Sequence, residues 1–455
     1  MHDNLNVERP QLSASSIAME RQIFKKISLR ILPVLILCFF INYVDRANLG
    51  VLFSPLSKDL NLTAASFGFA AGLFYVGYLL FEIPSNIAMA RFGARRWIAR
   101  IMISWGLVTM CLAATHGAGS LYALRFMLGV AEAGFFPGVI FYLTFWYPRH
   151  RLGQAYLILE LSVPVSLALG SVVTSVLLLM DGVAGLSGWR WVFLLQGLPA
   201  VVVGALIFFH LSDGPSKAKW LSAEEREYLL SNAAPQQSHA TNGAHGFVDV
   251  IQRPLVWLFA VLLFSMVIGF WAVTYFLPRI MQERFHVDAV HAGLLAAIPW
   301  VVSAIAILVV TYTSARTGDR KWHLLACLCL SAAGLFIAAT VDSSAIAIIG
   351  LCAGAAGVQA AVPLFWTMPS TSFTGASAAI AIAMVNSIGN ISGLVGPWML
   401  GISTDITGNS RAGLVVVAGF CLFAAVLGFY LSRSVSRNVT HDGRKAYAAT
   451  ASGNQ

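Results

Sequence analysis

The chain is 455 residues long, 58% hydrophobic and 11% charged, with a mean hydropathy of +0.75. Soluble domains are about 45–50% apolar and roughly a quarter charged, so this surface could not be kept in water. A soluble enzyme, a nucleic-acid binder and a disordered chain are set aside on that ground. The net charge of +9 would hint at nucleic acid in a soluble domain. Here the basic residues cluster in short loops between apolar runs and read as orientation signals.

Residues 1–26 are polar and mixed in charge and are taken as a cytoplasmic N-terminal segment. Ile27 to Phe53 is mostly apolar, interrupted by Asp45 and Arg46. It is too long for a signal-peptide core and lacks a small-residue cleavage site, so it is the first span. At about 20 residues per span, further spans fall at 64–90, 98–117, 120–146, 155–180 and 190–211. A polar stretch, 212–253, forms a cytoplasmic central loop. It contains LSAEEREYLL, read as a short amphipathic helix with Leu221, Tyr228 and Leu229 on its apolar side, and then the PQQSHATNGAHG segment, expected to be flexible. Six more spans follow at 254–278, 293–313, 322–341, 345–368, 376–403 and 411–431, and 432–455 is a cytoplasmic tail. The expected fold is an all-α membrane protein with twelve transmembrane helices in two six-helix bundles, 27–211 and 254–431. The six cysteines all lie within apolar runs and read as small buried hydrophobes, not as a disulfide framework or a metal site.

With both termini on one side, that side carries most of the basic residues, among them Lys25, Lys26, Arg95, Arg96, Arg320 and Lys321. The other side carries Lys58, Arg190, Arg279, Arg284 and Arg411. The asymmetry predicts cytoplasmic termini. Ala90–Trp97 after span 2 and Ala315–Trp322 after span 8 share the pattern A-R-x-G-x-basic-basic-W. Two unrelated basic turns would also fit. A six-span repeat fits better, because the matching loops follow matching spans. Parallel repeats of this kind are a transporter architecture with the site between the halves.

An ion at the bilayer centre costs about 2.5–3.5 kcal/mol on insertion scales, so charges within spans are the candidates. No lysine or histidine lies mid-span. Asp45 and Arg46 do, in NYVDRANLG. Adjacent residues diverge by about 100° on a helix and serve different neighbours. A mutually neutralising packing pair is the structural alternative. Arg46 could take a carboxylate through two parallel hydrogen bonds, and Tyr43, on the same face, offers a hydroxyl and a ring. Arg125 and Glu132 lie on one stripe of span 4, about 10 Å apart along the axis. Each reaches a neighbouring helix, either for proton coupling or as a structural bridge, and Gly134 and Gly138 allow close helix packing. Glu82 sits nearer the cytoplasmic end, where a bridge to the loop arginines is as reasonable as a transport role. Glu160, deeper on span 5, shapes a pocket or a helix contact. The second half shows no charge in its spans. It offers Gln359, Trp366, Thr367 and Ser370 around span 10, with Asn386 and Asn390 on span 11, as a neutral wall.

These residues resemble the major facilitator superfamily and, within it, the anion:cation symporter branch, over about residues 24–431. NYVDRANLG, EIPSN, RFMLGVAEAGFFPG, FWTMP and NSIGNISGLVGP carry the resemblance. The loop NIAMARFGARRW looks like a degenerate form of the superfamily's cytoplasmic loop motif, with Asn86 for the leading glycine and Ala90 for the usual acid. The resemblance implies carriage of organic anions with protons or sodium. It implies Arg46 and Tyr43 as substrate-anion contacts, Asp45 and Glu132 as protonatable carboxylates, and Arg125 in the coupling network. Asn386 would be a polar substrate contact of the second half, with Gln359 and Trp366 as weaker transfers. Glu160 lies near a position that elsewhere carries a neutral polar group.

The expectation is a secondary active transporter and not an enzyme: a proton-coupled symporter taking up a small aromatic or hydroxylated carboxylate by alternating access. It would lie in the cytoplasmic (inner) membrane, multi-pass, working as a monomer, with the lipid bilayer and a small organic anion as its partners. No cofactor beyond the coupling ion and no nucleic-acid partner are expected. A sodium-coupled carrier, an exporter and a non-transporting sensor are the alternatives.

Overall fold

The computed structural model describes residues 14–232, 250–373 and 377–452. Part of the N-terminal segment (1–13) and the PQQSHATNGAHG segment lie outside the described residues. No strand occurs among those described. In the first half, α1 (Ala14–Val51), α2 (Phe53–Leu60), α3 (Ala64–Phe92), α4 (Ala94–Leu112), α5 (Ala118–Glu132), α6 (Phe135–Thr144), α7 (Arg149–Leu178) and α8 (Gly188–His210) follow one another, and α9 (Ala223–Asn232) begins the central loop. The second half has α10 (Pro254–Phe285), α11 (Ala289–Thr317), α12 (Arg320–Thr340), α13 (Ser344–Ser372), α14 (Ser377–Asn390), α15 (Ser392–Thr407) and α16 (Arg411–Ser452).

Eleven helical segments are long and apolar enough to cross a membrane. The twelfth span is α4, which carries Arg95, Arg96 and Arg100 in its first two turns. Long side chains at a helix end reach the interface while their stems stay apolar. These arginines mark one side of the molecule, where α1 begins, α3 ends and α4 begins; we call it the basic face, and its opposite the far face.

Three departures from the expected spans have local causes. Span 4 is broken: Ala133 is extended and Gly134 has φ +81°, a left-handed conformation open to a residue without Cβ. Pro137 then falls in the first turn of α6, where a missing N–H is harmless. Gly134 is therefore a break, yet it and Gly138 still let α3 come close: a Cβ on them would lie 2.5 Å from Ser85 Oγ and 2.9 Å from Met89 Sδ. Span 11 is likewise divided, at Ile391. Finally, α10 runs through Pro278 to Phe285. Arg279, Glu283 and Arg284 thus belong to the end of a spanning helix and not to a loop, so the second half is not free of charge in its spans. Arg284 donates to the carbonyls of Val341 (2.8 Å), Ala338 and Ala339, satisfying acceptors left open at the C-terminus of α12.

The two matching loops both place a glycine at positive φ but turn differently: Gly93 (φ +90°, ψ 148°) opens α4, while Gly318 (φ +69°, ψ 0°) closes α11 in the αL conformation. In the second loop Asp319 accepts the N–H of Trp322 (3.2 Å). In the first loop Ala94 replaces that acid, and Asp213, remote in sequence, accepts the N–H of Arg95 (3.1 Å). The amphipathic helix is present as α9. Its Ser222 and Glu225 form a reciprocal cap (2.7 and 3.1 Å), and Glu225 meets Lys26 of α1 at 2.7 Å.

The halves close on each other toward the far face. A Cβ on Gly68 of α3 would lie 2.2 Å from the Pro397 carbonyl of α15, and one on Gly401 would lie 2.3 Å from that of Ala64. Only glycine permits such backbone approach. At the same end Asp405 accepts the N–H groups of Ala64 (2.9 Å) and Ala65 (2.8 Å). A carboxylate from one half thus caps a helix N-terminus of the other. Gly50 against the Thr274 carbonyl and Gly293 against Ser175 complete the closure.

Candidate functional site

Between the halves, from mid-depth toward the basic face, lies a chamber of about 120 Å³. Its walls come from α1, α3, α6 and α7 on one side and α10, α13 and α14 on the other. Tyr43, Arg46 and Glu160 line it from the first half, and Gln359, Trp366 and Asn386 line it from the second. Asn390, four residues after Asn386 on the same helix, lines it as well.

Arg46 is the centre of the chamber's first-half wall. Its guanidinium lies over the rings of Tyr43 (5.3 Å), Phe74 (5.0 Å), Tyr78 (5.9 Å) and, from the other half, Trp271 (5.5 Å). Ring faces attract a cation, more so where water is excluded. Nε (3.1 Å) and Nη2 of Arg46 both donate to one oxygen of Glu132, Oε1. Glu132 is 1% exposed, and its second oxygen, Oε2, is buried with no hydrogen-bond partner. Glu132 is the last residue of α5, so the break after it aims its side chain across at α1.

Asp45 does not reach the chamber. It is 3% exposed, and its carboxylate accepts from Asn48 (3.0 Å), Trp105 (3.1 Å) and Thr109 (3.0 Å). Asn48 continues to Gln196 (2.9 Å) and Gln196 to Thr174 (2.9 Å), so the network ties α1, α4, α8 and α7 together. The reason is geometric: a turn of about 100° per residue sends Asp45 into the bundle once Arg46 faces the cavity. Arg125 is also outside the chamber. Buried, it donates to the carbonyls of Ala70 (3.4 Å) and Ala71 (3.3 Å) and lies over Phe74 (5.3 Å), clasping α5 to α3. Glu82 makes no bridge to the loop arginines. Its Oε2 is buried and unpaired, while Arg100 donates weakly to Ser85 (3.5 Å). The side chain of Ser370 lies outside those described.

Several chamber residues were not anticipated. Asn42 shares a helix face with Arg46, four residues on, and that spacing was the available signal. Tyr75 and Tyr78 are three apart on α3, a weaker signal. Trp271 stands in an unbroken apolar run, FWAVTYF, which gives none. The side-chain N–H groups of Asn42 and Trp271 are buried without a partner and belong to residues lining the chamber.

The sequence profile of the Major Facilitator Superfamily matches residues 35–397 and 280–452. A putative tartrate transporter of Agrobacterium vitis is 39% identical over 421 residues, covering 92% of this chain and 94% of the relative. A quinolone resistance transporter of Acinetobacter baumannii is 34% identical over 422 residues, covering 92% and 97%. Among solved structures, a bacterial homologue of the human lysosomal transporter Spinster, inward-facing and unoccupied, superposes with a TM-score of 0.73 at 17% identity, covering 89% of this chain and 97% of that one. Twelve spans in two halves, a chamber walled by both and these relatives lead to one conclusion: the chain belongs to the major facilitator superfamily and is a multi-pass membrane transporter, not an enzyme.

Proposed function

We propose that this transporter is a proton-coupled symporter that takes up a small organic anion, an aromatic or hydroxylated carboxylate. In this reading it lies in the cytoplasmic membrane with the basic face and both termini inside, and works as a monomer. One observation carries the proposal: the Arg46–Glu132 pair, with Arg46 on the chamber wall and Glu132 buried behind it, its Oε2 unpaired. A substrate carboxylate and Glu132 compete for one guanidinium. A proton on Glu132 removes the competitor and leaves Arg46 free to take the substrate through two parallel hydrogen bonds. Losing the substrate restores the pair and expels the proton. Binding and protonation are then linked without direct contact between the two ligands, as reciprocal coupling requires.

Tyr43, Gln359, Trp366 and Asn386 would hold the remainder of the substrate, and alternating access would proceed by rocking one half against the other. Asp45 is assigned a supporting part: a proton there would loosen the α1–α4 network from within. Arg125 would keep α5 seated against α3 so that Glu132 stays aligned. The relative named for tartrate transport supports an organic anion as cargo. The relative named for quinolone resistance favours export as the second reading.

Reconstituted in liposomes, the protein is expected to accumulate a labelled aromatic monocarboxylate only under an inward proton gradient, with the internal pH falling in step. Accumulation driven equally well by a sodium gradient at uniform pH would refute the proton coupling. Accumulation that reverses with the vesicle's orientation would favour export.

A further inference from the structure

Arg46 and Glu160 are the only side chains of opposite fixed charge among the described residues lining the chamber. Glu132 already answers Arg46. Glu160 has no lysine or arginine bridging it among the described residues, and Tyr156, one helical turn earlier, lines the chamber beside it. The wall opposite supplies amides and rings: Gln359, Asn386, Asn390 and Trp366. A carboxylate facing a chamber of low polarity is expensive unless a proton or a cation balances it, and no described side chain bridges Glu160 with a cation.

We infer that the substrate supplies it: the occupant is amphoteric, carrying one carboxylate for Arg46 and one protonated nitrogen for Glu160, with a flat apolar body between the aromatic walls. The inference rests on the reading of Arg46 as the carboxylate anchor. Its logic is charge balance. With Glu132 protonated, Arg46 and Glu160 sum to zero, and a zwitterion leaves that sum unchanged. A plain monoanion makes the loaded chamber negative, and a dianion doubles the excess. Amide and phenol groups are neutral and cannot offset it.

The test uses the purified full-length protein and three probes of nearly one shape: 4-(aminomethyl)benzoate, 4-methylbenzoate and terephthalate, with the 3-substituted isomers run beside them. Affinities are read by calorimetry or by ligand-dependent thermal stabilisation. In the native protein an aminomethyl probe is expected to bind at least tenfold more tightly than its methyl partner, about 1.4 kcal/mol, with the dianions weakest. Glu160→Gln should erase that gap by weakening the aminomethyl probe, with the ligand-free unfolding midpoint confirming an intact fold. Arg46→Ala should abolish binding of all probes. If methyl and aminomethyl probes bind equally to the native protein and both need Arg46, the amphoteric substrate is refuted and the anchor stands. If the probes bind without regard to Arg46, the anchor fails and the inference fails with it.

Discussion

The first half of the molecule holds Asp45, Arg46, Arg125, Glu132 and Glu160 at depth, while the corresponding depth of the second half holds Gln359, Asn386, Asn390 and Trp366. Both halves are six-helix bundles, and the fold itself asks for neither set. What differs is the supporting structure each set needs. Asp45 takes three donors and Arg125 two backbone carbonyls, because an ion left unpaired at depth is costly. The amides need less and can turn a free donor to whatever enters. In the proposed mechanism one half would sense charge, and the other would supply a neutral surface.

The largest expected break in this division is Arg46→Ala. It removes the chamber's cation and strands Glu132 as an unpaired buried charge, worth about 3–5 kcal/mol when a buried pair is broken. Anion binding should fall by at least a hundredfold in calorimetry, and the unfolding midpoint should drop as well. Next comes Glu132→Gln, which keeps the shape and a donor but loses the proton site. Counterflow should persist in liposomes while uphill accumulation disappears; accumulation that survives would remove Glu132 from the coupling. Asp45→Ala orphans the Trp105 and Thr109 donors at about 1–3 kcal/mol. It should appear chiefly as lost thermal stability, with substrate affinity nearly unchanged, which separates a network residue from a chamber residue. Asn386→Ala should weaken binding about three- to tenfold, one hydrogen bond's worth. A hundredfold loss there would overturn the unequal division.

The smallest effect compares the matching loops. Gly318→Ala meets nothing within 4 Å and bears only the left-handed strain of about 1 kcal/mol. Gly93→Ala adds a Cβ 2.8 Å from the Asp213 carboxylate and should lower the unfolding midpoint further.

Much of this was legible in the residues. Apolar runs set the spans, and two of the mid-span charges, Arg46 and Glu160, pointed to the wall of the chamber. Arg46 was readable because an arginine at depth must have a reason to be there, and Asn386 because it repeats four residues on as Asn390. The facing of Asp45 depended on which of two adjacent residues takes the cavity, a choice made only when α4 packs and offers Trp105. The broken spans were hidden because Gly134 reads equally as a packing glycine and as a left-handed turn. Trp271 reached the cage around Arg46 through contact between the halves, which no local pattern encodes.

The grip of Asp405 on the first turn of α3 carries a last consequence. It joins the halves at the far face through two bonds from a charged acceptor, each worth about 1.5–3 kcal/mol. Any motion that parts the halves on that side must first release both. The unloaded carrier should therefore wait in one posture, vestibule toward the basic face, and the speed of its return journey would be set by this latch and not by the cargo.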